Sequence, residues 1–318
     1  MSYKYTSFQG KTVRRNNNHV VNKVLLFLFL FLFIVFFITS IGYFYKNYKR
    51  NQKISFELRE SYRKLYDSKN YLELIDKMDN ELKNNSLRVE YLIYRGFSYY
   101  LLGEAEKDVN KRSLYFSLSI IDLRRSLAVG VADNIAPDVY FCIGKIYYFY
   151  GRSYYNQSID YLKKSLSYGN ERVDLLYVLG LVYSNISNYE ESNKVFKRSL
   201  DIEYSDIVSI AVALNYYRSS DFNNAEKYIN KVLENKSSDK IKETALITLA
   251  EIQLNKKEYE KALFTLNSVT ELNENNADAF FLRGEIYFIY YKDNIRARSE
   301  WRKTLSINPS HIKAYRRL

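Results

Sequence analysis

The longest uninterrupted apolar stretch of the chain lies near its N-terminus, at residues 24–45. It reads VLLFLFLFLFIVFFITSIGYFY, contains no charged residue, and lies between Lys23 and Lys46. At about 1.5 Å per residue this stretch would span roughly 33 Å as a helix, which is enough to cross the hydrocarbon core of a bilayer. The pattern therefore predicts one membrane-spanning helix.

A cleaved signal peptide is the competing interpretation of the same stretch. The apolar region of a signal peptide is usually about 7–15 residues long, with small residues at the cleavage site. Here the apolar stretch is longer, and residues 40–42 provide only a weak Ser-Ile-Gly triplet. We therefore expect a retained anchor, preceded by a basic tail at 1–23 and followed by a basic juxtamembrane linker at 46–54.

Beyond the linker, apolar residues recur three and four positions apart in segments of helical length. Residues 173–205 show two such faces, separated by a polar turn at 187–188. The first face carries Leu176, Leu179, Gly180 and Tyr183, and the second carries Tyr189, Ser192, Phe196 and Ser199. The 318 residues include only 10 Gly and 2 Pro. A chain with so few helix breakers predicts one helix after another.

The same frame returns with a period of about 34 residues, which is typical of a repeat architecture. Clear copies lie at 137–172, 173–205, 206–239, 243–276 and 277–310. Weaker copies lie at 55–88 and 89–130, and the spacing predicts a long turn at 104–116 in the second of these. Terminal repeats are often atypical because they cap the stack.

This pattern resembles the tetratricopeptide repeat (TPR) family over about 55–311. In that family, small residues at the positions of Gly144, Gly180 and Gly284 let paired helices approach closely. The resemblance implies an all-α fold: an α-solenoid of about six or seven helix-turn-helix pairs at 55–318, preceded by the transmembrane helix.

The resemblance also implies a binding groove, because the first helix of each TPR pair lines the inner side of the solenoid. Carried over to this chain, the groove is rich in aromatic and apolar residues: Phe97, Tyr100, Phe141, Tyr148, Tyr177, Leu181, Leu214, Tyr217, Phe281 and Phe288. A contiguous apolar face suits an amphipathic helix or an extended peptide of a partner protein. The alternative is that these side chains pack between neighbouring repeats. Only Lys145 is basic among the inner positions, which argues against binding of acidic chaperone tails.

The positive charge of the chain is concentrated near the predicted anchor. Residues 1–64 contain twelve Lys and Arg but only two acidic residues, so they account for ten of the net +12. Directly after the anchor come Lys46, Lys49, Arg50 and Lys53, which we expect at the headgroups of anionic lipids. The remaining residues have little surplus charge, which argues against nucleic-acid binding.

Both flanks of the anchor are basic, so the prediction of its orientation in the membrane depends on the short N-terminal tail. This tail carries five basic residues and no acid, which makes it hard to translocate, whereas long domains cross largely regardless of charge. We expect a cytoplasmic N-terminus and extracytoplasmic repeats. The opposite orientation, with cytoplasmic repeats, stays open.

The sequence contains no recognisable catalytic or metal-binding constellation. Its one cysteine, Cys142, lies within a predicted helix, and its two histidines, His19 and His311, are far apart. We therefore expect no enzyme activity, no metal and no cofactor. The leading hypothesis is a membrane-tethered protein–protein interaction scaffold, with envelope assembly or secretion as a setting suggested by fold analogy. The alternative is a cytoplasm-facing accessory subunit of a membrane enzyme or transport complex.

Overall fold

The computed structural model describes residues 60–318 and five earlier positions: Phe29, Phe37, Ile41, Gly42 and Lys46. The remainder of the predicted anchor at 24–45 and of the linker at 46–54 lies outside the described residues. Within the part that is described, no helix is both long and apolar enough to span a bilayer. The chain divides into one unit at 1–70 and another at 71–318. In the first unit, the described part of helix α1 covers residues 60–67.

The second unit is built from helices, and residues 60–318 contain no β-strand. A short 3-10 turn, Arg152–Tyr154, separates α5 from α6. The α-helices are α2 (Tyr71–Asn84), α3 (Val89–Ala105), α4 (Val109–Val129), α5 (Ala136–Tyr150), α6 (Tyr155–Ser167), α7 (Val173–Asn185), α8 (Tyr189–Ile202), α9 (Asp206–Arg218), α10 (Phe222–Leu233), α11 (Asp239–Asn255), α12 (Tyr259–Leu272), α13 (Ala277–Ile289), α14 (Asn294–Ile307) and α15 (Ile312–Tyr315).

Helices α3 to α14 form six successive pairs, each made of a first and a second helix. Each first helix packs most extensively on the second helix of its own pair, and that second helix then contacts the first helix of the next pair. Helix α2 packs on α3, and the short helix α15 packs on α14. The packing confirms the all-α helical-repeat solenoid that the apolar periodicity predicts.

The two helices of a pair approach most closely at the small position of the first helix. A Cβ atom added to Gly180 would lie 2.5 Å from Cδ1 of Phe196, well inside van der Waals contact. Only glycine therefore allows α7 and α8 to pack at this distance. In the next two pairs, Ala213 and Ala250 take the same position and are fully buried.

In each of the last four pairs, the turn between the two helices uses one residue with a left-handed backbone. These residues have φ between 56° and 62°: Ser187, Ser220, Lys257 and Lys292. The residue that follows is the N-cap of the second helix. In three of the pairs its side chain accepts a hydrogen bond from a backbone N–H of the first turn: Asn188, Asp221 and Asp293. Such caps satisfy helix N–H groups that have no partner within the helix.

The region 104–116, expected from the repeat frame to be a long turn, is mostly helical. Helix α3 continues to Ala105 and α4 begins at Val109, so a short connection joins them. The guanidinium of Arg112 donates two hydrogen bonds, of 2.9 Å and 2.6 Å, to the carbonyl oxygen of Glu106 at the end of α3. The expectation of a long turn is wrong, because the additional residues lengthen both helices of this pair.

Candidate partner-binding face

The first helices of successive pairs form one side of the stack, which we call the inner face. Along it, α3 contacts α5, α5 contacts α7, α7 contacts α9, α9 contacts α11, and α11 contacts α13. No two second helices of successive pairs in residues 71–318 pack against each other to a comparable extent. The first helices are thus closer together than the second helices, which makes the inner face the concave one. Helical-repeat solenoids use such concave surfaces for binding.

The ten residues predicted to line the groove divide into three groups by burial. Tyr100, Phe141 and Phe281 each expose less than a tenth of their surface, so they pack within the stack and offer little area to a ligand. Only Phe288 is exposed, at 38%. The remaining six are half-buried: Phe97, Tyr148, Tyr177, Leu181, Leu214 and Tyr217.

The structure brings several of the half-buried residues together in the middle of the inner face. Tyr177 and Leu181 pack against the same buried cluster, which contains Phe196. Burial raises the pKa of the Tyr148 hydroxyl, and the nearby hydroxyls of Tyr155 and Tyr177 raise it further. Tyr148 lies on α5 and Tyr177 on α7, two helices that contact each other along the inner face.

Leu214 and Tyr217, both on α9, extend this apolar surface. They pack against the buried cluster formed by α9, α10 and α11. The middle of the inner face therefore offers partly open aromatic and leucine side chains that could contact an apolar ligand.

Polar side chains link adjacent first helices along the inner face. The ammonium of Lys145 on α5 lies 2.5 Å from a carboxylate oxygen of Glu104 on α3. Ser184 on α7 donates a hydrogen bond of 2.6 Å to Asn215 on α9. Lys145, the one basic residue among the inner positions, is thus already paired.

The C-terminal end of the inner face is open between α11, α13 and α15. Two adjoining cavities have volumes of about 630 Å³ and 310 Å³. They share Phe281, Leu282 and Lys313, and together we call them the C-terminal cleft. Further apolar walls come from Ile247, Leu254 and Ile289. Concave sites with mainly apolar walls and a few polar groups are typical of ligand-binding pockets.

Three carboxylates line the C-terminal cleft, and they differ in their partners. Glu285 accepts hydrogen bonds of 2.9 Å and 2.5 Å from the guanidinium of Arg317. Asp278 lies 3.2 Å from Nε2 of His311. The carboxylate of Glu251 has no hydrogen bond or ion pair among the described residues. Burial raises its pKa above the ordinary value of 4.5, and the charge of Lys313 offsets part of this rise.

The sequence analysis placed the best groove in the middle repeats and did not predict the C-terminal cleft. The missing part is α15, whose buried Ala314 packs with Phe281, Ala297 and Trp301. The repeat frame itself contained a signal, because Ala314 occupies the position that the buried Ala279 holds one repeat earlier. Helix α15 thus begins like a further first helix and closes one side of the cleft.

The remaining candidates are the basic residues that follow the predicted anchor, the single cysteine and possible metal ligands. Lys46 is exposed, whereas Lys49, Arg50 and Lys53 lie outside the described residues. Cys142 is buried, and burial raises the pKa of its thiol, which keeps it protonated and poorly nucleophilic. No group of three or more His, Cys, Asp or Glu side chains within the described part of the chain could hold a metal ion.

Comparison with known proteins agrees with this architecture. Residues 184–315 match a family model described as a tetratricopeptide repeat-like domain. No curated protein matches the chain. Among solved structures, the C-terminal part of a TPR repeat-containing protein from Cytophaga hutchinsonii is similar at a TM-score of 0.62 and 17% identity, covering 81% of this chain and 98% of that one.

Two further solved structures show the same fold. PilF from Pseudomonas aeruginosa has a TM-score of 0.51 and 15% identity, covering 70% of this chain and 95% of its own. MamA from Desulfovibrio magneticus RS-1 has a TM-score of 0.50 and 16% identity, covering 57% of this chain and 99% of its own. Repeat proteins of this type are generally scaffolds that bind other proteins rather than enzymes. The chain therefore contains an all-α repeat solenoid of the tetratricopeptide type, a fold typical of protein–protein interaction scaffolds.

Proposed function

We propose that this protein is a membrane-tethered scaffold that binds a helix or peptide of a partner protein on its inner face. The observation that carries the proposal is the continuity of that face. Half-buried aromatic and leucine side chains on α5, α7 and α9 are followed, on the same side of the stack, by the open cleft between α11, α13 and α15. Burying one such side chain typically contributes about 1.5–3 kcal/mol, so a few anchors are enough for specific binding.

The tether is proposed from the sequence. The uncharged stretch at 24–45 is long enough to span a bilayer, and Lys46, Lys49, Arg50 and Lys53 follow it as expected for contact with anionic headgroups. The basic, acid-free tail at 1–23 supports a cytoplasmic N-terminus and an extracytoplasmic solenoid. Envelope assembly or secretion is a setting that suits this arrangement.

Substitutions on the inner face test the binding part of the proposal. The double variant Tyr177→Ser and Leu214→Ser removes two half-buried apolar side chains from the middle of the face. We expect it to lose the partner in affinity capture of the full-length chain from detergent-solubilised membranes of the native host. A matched control, Phe264→Ser and Ile295→Ser, removes apolar side chains that are 75% and 84% exposed on second helices, and should retain the partner.

Thermal melts of both variants separate loss of binding from loss of folding. If the inner-face variant captures the partner as wild type does, or if the control variant alone loses it, the partner uses another surface and the proposal is wrong. The inner-face variant could lose the partner because it no longer folds. In that case the binding test uses the milder variant Tyr148→Ser, which changes another half-buried inner position. Normal capture by that folded variant would also contradict the proposal.

The orientation has its own test. A cysteine at position 318, in the variant Leu318→Cys, can be labelled with a membrane-impermeant maleimide in intact cells. The native Cys142 is buried and should give little background. We expect labelling of intact cells at the level reached after lysis. Labelling only after lysis would reject the extracytoplasmic orientation and favour the cytoplasm-facing accessory subunit.

A further inference from the structure

Basic residues are spread unevenly over the second helices of the pairs, which lie on the convex side of the stack that we call the outer face. Helix α4 contains four basic residues and one acidic residue, and α6 contains two and one. Helices α8, α10 and α12 together contain six residues of each sign. The outer face is therefore strongly basic at α4 and α6 and close to neutral over the next three pairs.

The positive charge of α4 and α6 is not neutralised by neighbouring carboxylates. Two of the six basic residues donate hydrogen bonds to backbone carbonyl oxygens, which leaves their charge in place. Of the two acidic residues, Asp122 is buried and bonded to Arg95, so Asp160 is the one exposed carboxylate on these helices. None of the six basic residues forms an ion pair within the described part of the chain: Lys111, Arg112, Arg124, Arg125, Lys163 and Lys164.

Apolar side chains are exposed among these charges. Leu114 and Ile121 are 57% and 52% exposed, and their spacing of seven residues places them on the same side of α4. Arg124 and Arg125 follow Ile121 by three and four positions, so they lie beside it on the helix surface. Helix α14 is also basic, but its one exposed large apolar residue, Ile295, lies in its first turn. The combination of unpaired cations and an exposed apolar stripe is typical of helices that bind anionic lipid surfaces.

A cavity of about 340 Å³ opens in the same surface, between α4 and α6. The ammonium of Lys164 lies 5.6 Å from the centroid of the Tyr140 ring, whose centroid is 6.1 Å from that of Tyr161. Burial raises the pKa of the Tyr161 hydroxyl, and the nearby guanidinium of Arg124 offsets part of the rise. Tyrosine side chains, with an apolar ring and a polar hydroxyl, favour the boundary between a membrane and water. The cavity is lined by Leu127, Tyr140, Asp160, Tyr161 and Lys164.

We propose that the outer face of α4 and α6 docks on the anionic lipid surface of the membrane that carries the tether. Leu114 and Ile121 would enter the headgroup layer, the six basic residues would approach the lipid phosphates, and the cavity would admit part of one headgroup. The proposal goes beyond partner binding and rests on the membrane tether of the proposed function. A tether keeps the lipid surface close at hand, so a weak contact is enough. Docking by the outer face would leave the inner face turned away from the bilayer and free for the partner.

The proposal is tested with the full-length chain reconstituted into liposomes. In the variant Ile121→Cys, the new thiol carries the environment-sensitive fluorophore NBD, and the buried Cys142 should give little background labelling. One set of liposomes is neutral phosphatidylcholine, and the other also contains the anionic lipid phosphatidylglycerol. We expect blue-shifted NBD emission, and quenching by nitroxide-labelled lipid, in the anionic liposomes only. Both effects should weaken as the salt concentration rises.

A charge variant shows whether the basic residues drive the docking. In the Ile121→Cys chain, the triple variant Arg124→Gln, Lys163→Gln and Lys164→Gln should abolish the emission shift. Each basic residue near an anionic surface contributes about fivefold, so the three together change the docking equilibrium roughly a hundredfold. Circular dichroism confirms that the variant is folded.

Two controls use the neutral part of the outer face. NBD on Phe264→Cys, at a position of α12 that is 75% exposed, should give the same emission in both kinds of liposome. A matched charge variant removes three exposed lysines from α10 and α12 and should leave the shift at position 121 unchanged: Lys227→Gln, Lys231→Gln and Lys261→Gln.

The outcomes separate this inference from the proposed function. Equal emission from position 121 in neutral and anionic liposomes, or an equal shift from position 264, contradicts the inference. So does a shift that survives the α4–α6 charge variant, or one that the matched charge variant removes equally. Failure of the tether gives a different result, because alkaline carbonate would then extract the chain from both kinds of liposome. Partner capture through the inner face is measured separately.

Discussion

The first pair, α3–α4, and the last pair, α13–α14, contain the same local arrangement with different chemistry around it. In each, an arginine precedes the close-contact glycine of the first helix: Arg95 before Gly96, and Arg283 before Gly284. In each pair, the carboxylate of an acidic residue on the second helix accepts hydrogen bonding from that arginine. Arg95 donates hydrogen bonds of 2.6 Å and 2.7 Å to Asp122, and Arg283 donates one of 2.7 Å to Glu300.

The two ion pairs differ in how completely their atoms are bonded. Arg95 also donates a 2.6 Å hydrogen bond to Asp79 of α2, and these bonds raise its pKa. In the last pair, Nε of Arg283 and Oε2 of Glu300 are buried without a partner. Burial raises the pKa of Glu300, and Arg283 offsets only part of that rise. A buried ion pair stabilises the fold only when its remaining polar atoms also have hydrogen-bond partners. We therefore expect the ion pair to contribute more to the free energy of unfolding in the first pair than in the last.

Removing the arginines should give the largest difference between the two pairs. Arg95→Met leaves Asp122, which is 2% exposed in its side chain, as an unpaired buried charge, and should cost about 3–5 kcal/mol. Arg283→Met should cost less, about 1–3 kcal/mol, because the pair is already incompletely bonded. Thermal unfolding of the full-length chain, followed by circular dichroism, measures both.

Arg296→Met supplies the control for these two variants, because the Arg296 side chain is 69% exposed. We expect a change within about 0.5 kcal/mol. Equal losses for Arg95→Met and Arg283→Met would show that the additional bonds in the first pair contribute nothing.

Adding a methyl group at the close-contact glycines should destabilise the last pair more than the first, which is the opposite of the order expected for the arginine variants. A Cβ atom at Gly284 would lie 2.6 Å from Cδ1 of the Trp301 ring, whereas one at Gly96 would lie 2.7 Å from Cδ2 of Leu123. The Cγ atom of the buried Leu123 would also lie 2.8 Å away, so this side chain must shift as a whole, but it is smaller and less rigid than the indole ring. Gly284→Ala should therefore cost about 1–3 kcal/mol, and Gly96→Ala should cost clearly less. Melting temperatures of the two variants check this order, and a larger loss for Gly96→Ala would contradict it.

The smallest expected difference in stability between the two pairs comes from a serine hydroxyl that the first pair has and the last pair lacks. Ser119 of α4 donates a 2.8 Å hydrogen bond to the carbonyl oxygen of Gly96, and the second helix of the last pair has the buried Ala297, which packs with Phe281 and Trp301. Ser119→Ala should cost about 0.5–1.5 kcal/mol, because it leaves that carbonyl oxygen with one partner fewer. Ala297→Ser breaks no existing hydrogen bond, so any loss of stability in that variant measures the burial of an added hydroxyl at a fully buried position. Denaturant titrations resolve differences of this size, and a neutral Ser119→Ala would show that the hydrogen bond does not matter.

The fold could be predicted because it depends on local periodicity. Apolar residues three and four positions apart indicate the helices, and small residues such as Gly180 mark where two helices meet. The exposure of individual groove residues could not be predicted in this way. Whether Tyr100 or Phe141 is open or buried depends on the distance between successive first helices, which no spacing within one helix reveals.

The C-terminal cleft was missed for a similar physical reason. Its cavities exist because a four-residue helix, α15, packs on α14 and carries Lys313 toward α11 and α13. That segment is too short to show a helical periodicity of its own, and only its place in the repeat frame, through Ala314, pointed to it.

The most direct test of the central claim, that the inner face binds the partner, is site-specific photo-crosslinking in native membranes. Benzoylphenylalanine replaces Phe288 on the inner helix α13 in one variant, and Phe264 on the second helix α12 in the other. Both native side chains are exposed phenylalanines, at 38% and 75%. We expect a specific partner adduct from position 288 and none from position 264. An adduct from position 264 without one from position 288 would contradict the account.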